Sequence, residues 1–149
     1  MELLLARESS FTNPANLAIP LYRAALNRDG EIVRLLLKHG ADPRSNDISG
    51  TAPIHFAVLA GNQEGAAALI EAGADVNAAV TNGVTPLLFA CSAADEPMAR
   101  LLLKAGANVD LPASPGKRPL HAALEAGSES IVALLLEHGA NVNAPYTIQ

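Results

Sequence analysis

The residues best suited to chemistry in this chain are four histidines, one cysteine and a few adjacent carboxylates. A bound metal needs several ligands within a few ångströms of one ion. His55 and His121 lie 66 residues apart, and His39 and His138 lie 99 apart, so both spacings are multiples of 33. Residues so separated fall in different layers when helices pack about 8–10 Å apart. A shared ion is therefore not expected. Cys91 shares a 33-residue register with Ala25, Val58 and Leu124, all apolar, and reads as a buried thiol. A nucleophile would want an activating base and an accessible pocket. Ser92 follows on the exposed side of the same helix. Asp95 and Glu96, with Pro97 behind them, mark a helix start and not an acid/base couple. No Gly-x-Ser-x-Gly, His-Glu-x-x-His, phosphate loop or dinucleotide fingerprint occurs. The sequence thus predicts no catalytic residue, no metal ligand and no cofactor.

The elements that must position these residues are set by a repeat. Proline falls at Pro20, Pro53, Pro86 and Pro119, with gaps of 33. Gly40-Ala41, Gly73-Ala74, Gly106-Ala107 and Gly139-Ala140 keep the same period. The triplets Leu35-Leu36-Leu37, Leu101-Leu102-Leu103 and Leu134-Leu135-Leu136 share one slot with Ala68-Leu69-Ile70. Each proline opens a short helix, where a missing N–H costs nothing. First helices are predicted over 21–27, 54–60, 87–93 and 120–126, and second helices over 31–39, 64–72, 97–105 and 130–138. Each second helix stops at a glycine that can take the left-handed cap. Helices this short persist only by stacking on neighbours. Ala24, Ala57, Ala90 and Ala123 share one slot and let first helices approach closely, so Ala90→Leu should overpack the junction.

These motifs resemble ankyrin repeats. Thr85-Pro86-Leu87, Pro53-Ile54-His55-Phe56-Ala57 and Pro119-Leu120-His121-Ala122-Ala123 are similar to the Thr-Pro-Leu-His-x-Ala opening of that repeat. Gly73-Ala74-Asp75-Val76-Asn77-Ala78 and Gly139-Ala140-Asn141-Val142-Asn143-Ala144 are similar to its close. The match covers about residues 14 to 145. It implies an all-α ankyrin-repeat solenoid of stacked helix-turn-helix units with β-turn loop tips. The expected organisation is a single array over 1–149. It comprises an N-terminal half repeat or cap at 1–13, repeats at 14–46, 47–79, 80–112 and 113–145, and a tail at 146–149. The resemblance also implies that His55 and His121 hydrogen-bond neighbouring turns. His39 and His138 sit at helix ends, where a cation suits the dipole. Asn77 and Asn143 stand in the Val-Asn-Ala context in which ankyrin asparagines can be hydroxylated. The simpler reading is a turn-forming Asn that bonds local backbone.

Composition agrees with a layered core of small aliphatics. Half of the 149 residues are hydrophobic, only 3% are aromatic, and 17% are charged. Such a chain has too much apolar surface to remain disordered. The longest uncharged stretch, 76–94, contains turn residues, so a spanning helix is not expected. A single cysteine excludes an internal disulfide framework, and the N-terminus lacks the form of a secretory signal. The expected compartment is intracellular, cytoplasmic or nuclear. The net charge of −5 lies wholly in residues 48–149, which hold four bases and nine acids. With scarce aromatics, this argues against nucleic acid.

The expected function is non-catalytic binding of a partner protein through the concave face, which the family builds from loop tips and first helices. Carried over by register, the tips are Ile48, Ser49 and Thr51; Thr81, Asn82 and Val84; and Ser114, Pro115 and Lys117. The helix positions are Leu26, Asn27, Leu59, Ser92 and Glu125. Leu26 and Leu59 occupy one slot in successive repeats and should sit side by side as an apolar anchor. The loop 111–117 carries two prolines and should be stiff. The last second helix is as apolar as the internal ones, although a terminal repeat normally carries a polar outer face. A monomer is expected, with association through that C-terminal end as the alternative. The alternative function is a structural segment of a longer ankyrin-repeat protein.

Overall fold

The computed structural model describes residues 18–146. The expected half repeat at 1–13 and the tail beyond Tyr146 lie outside the described residues. Among the described residues there are eight helices. They are α1 (Ala18–Leu26), α2 (Gly30–Lys38), α3 (Pro53–Ala60), α4 (Gln63–Glu71), α5 (Pro86–Ser92), α6 (Glu96–Lys104), α7 (Pro119–Glu125) and α8 (Glu129–Glu137). The only extended pairing among these residues is an isolated bridge between Ala113 and Lys117. The fold is all-α, as the resemblance implies.

All helices but one begin and end within one residue of their expected bounds. The exception is α1, which starts at Ala18, ahead of Pro20. Proline is tolerated in a first turn, so Pro20 need not open the helix. Pro53, Pro86 and Pro119 do open theirs. The N-terminus of each second helix is capped by a side-chain oxygen. Asp29, Asn62, Asp95 and Ser128 accept from Ile32, Gly65, Met98 and Ile131 amides respectively. At the other end, Gly40, Gly73, Gly106 and Gly139 have φ between 84° and 96°. That left-handed conformation lets glycine end the helix at little steric cost.

The described chain forms two compact units. The first comprises residues 18–48 and 52–75. Here α1 pairs with α2 and α3 with α4, while α1 stacks on α3 and α2 on α4. Its core is Leu21, Ala24, Ala25, Val33, Leu36, Ile54, Ala57, Ala66 and Leu69, all buried. Asn62 is buried as well, and its Nδ2 donates to the Ala25 carbonyl at 3.0 Å, tying α4 to the end of α1. Arg44 Nε donates to the Gly73 carbonyl at 2.8 Å, joining the ends of α2 and α4. On the solvent side of the helices, Arg34 bridges Glu31 on its own helix and Glu64 on α4.

The second unit comprises residues 49–51 and 76–146. In it α5 pairs with α6 and α7 with α8, α5 stacks on α7, and α6 contacts α8. Leu87, Ala90, Cys91, Met98, Leu102, Ala123, Ile131 and Leu135 form its core. The loops after the second helices are tied at a spacing of 31 residues. Asn77 Oδ1 accepts from the Asn108 amide at 2.7 Å, and the Asp110 carboxylate accepts from the Asn141 amide at 3.1 Å.

Candidate functional site

The first helices and the loop tips are the places where side chains vary while backbone stays constant. In the first unit, α1 and α3 end at Leu26 and Ala60. Leu26 is 45% exposed and Leu59 is 65% exposed. Both stand in one repeat register, on helices that stack on each other, and both are open to solvent. They escape burial because the slots beside them, Ala25 and Val58, already fill the core. Asn27 is exposed next to Leu26, and the tip residue Ile48 is fully exposed.

In the second unit the tips form a hydrogen-bonded ladder. The Ser49 carbonyl accepts from the Thr81 amide at 3.0 Å and from its hydroxyl at 2.9 Å. The Asn82 carbonyl accepts from the Ser114 amide at 2.8 Å. Val84 is half-buried and donates its amide to Asn82 Oδ1 at 3.3 Å. Thr51 is also half-buried, while Ser49, Thr81, Asn82, Ser114 and Pro115 are exposed. Lys117 and Glu125, on the tip and on α7, form an ion pair. The Lys117 ammonium holds the Glu125 carboxyl below the usual carboxylate range, with smaller help from the Tyr146 hydroxyl. Ser92 is exposed at the end of α5. Ser49, Thr81, Asn82 and Ser114 are thus brought together, as are Lys117 and Glu125.

The expected chemistry of the histidines and the cysteine takes concrete form. The Ala52 amide donates to His55 Nδ1 at 3.0 Å, and the Arg118 amide donates to His121 Nδ1 at 3.1 Å. Each ring therefore caps the start of its own helix. With Nδ1 accepting, the remaining proton of His121 is on Nε2, which meets the Ala144 carbonyl at 3.3 Å in the next turn. Its ring also stacks on Tyr146, with centroids 4.7 Å apart. His138 Nδ1 lies 2.8 Å from the Leu134 carbonyl at the close of α8. Cys91 is fully buried, and burial pushes its thiol up to about 12. A thiolate is the nucleophilic form, so this thiol is suppressed at neutral pH. Asp95 accepts from the Met98 amide and is a helix cap, and Arg100 holds the Glu96 carboxyl low. Among the described residues no group of three or more His, Cys, Asp or Glu side chains is placed to hold a metal ion. No helix among them is long and apolar enough to cross a membrane.

Two features stand out, the first not anticipated from sequence and the second giving form to the apolar C-terminal end expected there. The first is a wider exposed face on α1 and α3. It comprises exposed Ile19, Arg23 and Leu26 with half-buried Tyr22 at helical spacing on α1, and half-buried Phe56 with exposed Leu59 on α3. Starting α1 at residue 21 hid Ile19, although its spacing of seven from Leu26 was a readable signal. The second is the C-terminal end of the second unit. Leu124 is 58% exposed there, although Ala25 and Cys91, in the same register, are fully buried. Leu124, Val132, Ala133 and Leu136 line an open apolar groove of about 410 Å³.

Comparison with known families gives one finding that covers nearly the whole chain. The model for ankyrin repeats (three copies) matches residues 1–80 and 78–146. None of the curated proteins matches the chain.

Proposed function

Since the chain belongs to the ankyrin-repeat family, we propose that it is a non-catalytic module that binds a partner protein through its first helices and loop tips. Ankyrin repeats are in general protein–protein interaction modules and are typically non-enzymatic. The observation that carries the reading is the exposed pair Leu26 and Leu59 at the ends of α1 and α3. Aliphatic groups held on a rigid scaffold can seat a partner's side chain with little ordering cost. The concave face of such arrays is the docking side, and Asn27, Ile48, Ser49, Thr51, Thr81, Asn82, Val84, Ser92, Ser114, Pro115, Lys117 and Glu125 supply its variable contacts. An intracellular setting, cytoplasmic or nuclear, accords with a lone buried cysteine.

The test is affinity capture with mass spectrometry, comparing the parent chain with Leu59→Glu. A discrete protein partner lost on Leu59→Glu, with the circular dichroism of the variant unchanged, supports the module. If the variant keeps every partner, the Leu26–Leu59 site is wrong.

The groove at the end of α7 and α8 favours a second reading, a structural segment onto which a further helix pair packs. Leu124 lies open where Ala25, Val58 and Cys91 in the same register are buried, and Leu136 is exposed beside it. Self-association through that end is the related possibility that sedimentation can test. A monomer at all concentrations, unchanged by Leu136→Lys, removes the self-associating form.

A further inference from the structure

What docks on the first unit is constrained by the residues around Leu26 and Leu59. Ile19, Tyr22, Arg23 and Leu26 are spaced i, i+3, i+4 and i+7, so they share one side of α1. Ile19 is 66% exposed. Tyr22 meets Phe56 of α3 with ring centroids 5.1 Å apart, and this pair floors the surface between the helices. Neither α1 nor α3 contains an acidic residue, and Arg23 is exposed. Arg28, just past α1, reaches across to the Ala60 carbonyl beside Leu59. Its backbone sits at φ 62°, in the slot where Gly61 has φ 67°. A side chain is held there against a steric cost that glycine escapes. Among the described residues of this unit the other arginines and the lysine lie elsewhere: Arg34 is paired with Glu31 and Glu64, Lys38 closes α2, and Arg44 is bonded to Gly73. In the register of Leu26 and Leu59, the second unit carries Ser92 and Glu125 instead.

We propose that this face of the first unit binds an acidic amphipathic helix of a partner protein. Its aliphatic side chains seat on Ile19, Leu26 and Leu59, and its carboxylates face Arg23 and Arg28. The inference rests on the reading of Leu26 and Leu59 as the docking surface and names the chemistry of the occupant. The dimensions fit. Seven residues of α1 separate Ile19 from Leu26, about 10.5 Å of rise, and stacked helices lie about 8–10 Å apart. Two turns of a ligand helix with apolar groups at i, i+3 or i+4, and i+7 cover such a patch. An anionic bilayer is the other surface that two arginines amid aliphatics could meet. The net charge of −5 acts against an extended anionic sheet that faces the whole chain, whereas a short helix meets only this face and its two arginines.

The experiment uses the full chain and a fluorescent peptide of about four helical turns, with Leu at the anchor spacing and Glu elsewhere. Its controls are the same peptide with Lys for Glu, the same peptide broken by a central proline, and vesicles of phosphatidylcholine with phosphatidylserine. The glutamate peptide is expected to bind, and its affinity should fall as salt rises from about 0.05 to about 0.3 M. Leu59→Ser should weaken it roughly tenfold or more. Arg23→Ser with Arg28→Gly should slow association and flatten the salt dependence. Preference for the lysine peptide, still lost in Leu59→Ser, overturns the acidic assignment and leaves the docking surface standing. Equal binding of the proline peptide overturns the helical form. Glutamate-peptide binding that ignores both Leu59→Ser and the arginine variant overturns the proposal and the docking surface together. Failure of every peptide, or Leu59-dependent binding to the vesicles, overturns the acidic helix.

Discussion

Replacing Asn62 by Asp tests whether the buried tie between α4 and α1 carries stability beyond helix capping. Four residues in one register cap the second helices: Asp29, Asn62, Asp95 and Ser128. Asp serves two of them, so capping alone predicts that Asn62→Asp is harmless. Asn62 differs in that its Nδ2 also donates to the Ala25 carbonyl at 3.0 Å, while Oδ1 accepts from the Gly65 amide at 2.8 Å. Asn62 is only 3% exposed and Ala25 is fully buried, so water cannot readily replace the lost donor. A buried hydrogen bond contributes about 1 kcal/mol, and an unsatisfied buried carbonyl costs a further 1–3 kcal/mol or so. A carboxylate would also bring charge into a buried site against a carbonyl oxygen. The expected loss is about 2–4 kcal/mol near neutral pH.

Urea unfolding followed by circular dichroism measures this, with an unchanged m-value required for the comparison. Asn62→Ala provides the scale, since it removes cap and donor together without adding charge. Asn62→Asp should be no better than Asn62→Ala. Acid should narrow its deficit, because burial raises a carboxyl pKa and the protonated group can donate to Ala25 again. For a raised folded-state pKa, the variant's contribution is best below the unfolded value of about 3.9 and is lost as pH rises through the folded value. If Asn62→Asp matches the parent at neutral pH with the same m-value, the Ala25 tie carries nothing and the reasoning fails.

Gly65→Ala should improve intrinsic helix propensity by about 1 kcal/mol, yet lower the melting temperature. A Cβ at residue 65 would lie 2.4 Å from Asn62 Nδ2 and displace the same side chain; a higher melting temperature would contradict this. Ala90→Leu should cost about 1–3 kcal/mol, because Ala90 is fully buried where α5 stacks on α7. An unchanged melting temperature counts against that. Cys91, with its thiol pushed to about 12, should react with an aromatic disulfide at pH 8 only as fast as the protein opens. Immediate labelling in native buffer would disprove its burial. Because its folded pKa is raised, Cys91 favours the folded state fully below 9.0 and loses that contribution as pH rises toward about 12, which alkaline urea titration checks.

The helices were legible because their signals are local. A proline at the first turn, a capping oxygen and a glycine at the far end each act within a few residues. Pro20 misled for a related reason: it permits a helix start but does not enforce one, and α1 begins at Ala18. The burial of Cys91 followed from its apolar register. Side-chain ties across repeats were not legible. Asn62 to Ala25, Arg28 to Ala60, and Arg44 to Gly73 join residues 37, 32 and 29 positions apart through side-chain reach. No sequence period specifies that reach. The register did suggest that Leu26 and Leu59 would stand together. It could not decide their exposure, because loops folded over the ends of α1 and α3 would bury the same slot.

The division of labour among slots explains why such a surface can be altered without altering the fold. In the first helices, Ala24, Ala57, Ala90 and Ala123 are all buried, where α1 stacks on α3 and α5 on α7. Two residues further on, the slot carries Leu26, Leu59, Ser92 and Glu125, aliphatic, polar and acidic in turn, all exposed. The helices close at this slot regardless of its occupant, so its side chains are nearly neutral to stability and available for recognition. Arg28 shows where that freedom stops. Its slot requires a left-handed backbone, taken by Gly61 at φ 67°, Gly127 at φ 68° and Ala94 at φ 54°. A non-glycine residue there costs on the order of 1 kcal/mol. Arg28 offsets part of this by bonding the Ala60 carbonyl, and its charge is thereby fixed beside Leu59. Arg28→Gly would relieve the backbone and remove the cation, so stability and acidic-peptide affinity should move in opposite directions. A variant that lost neither stability nor affinity would detach the left-handed arginine from the binding surface.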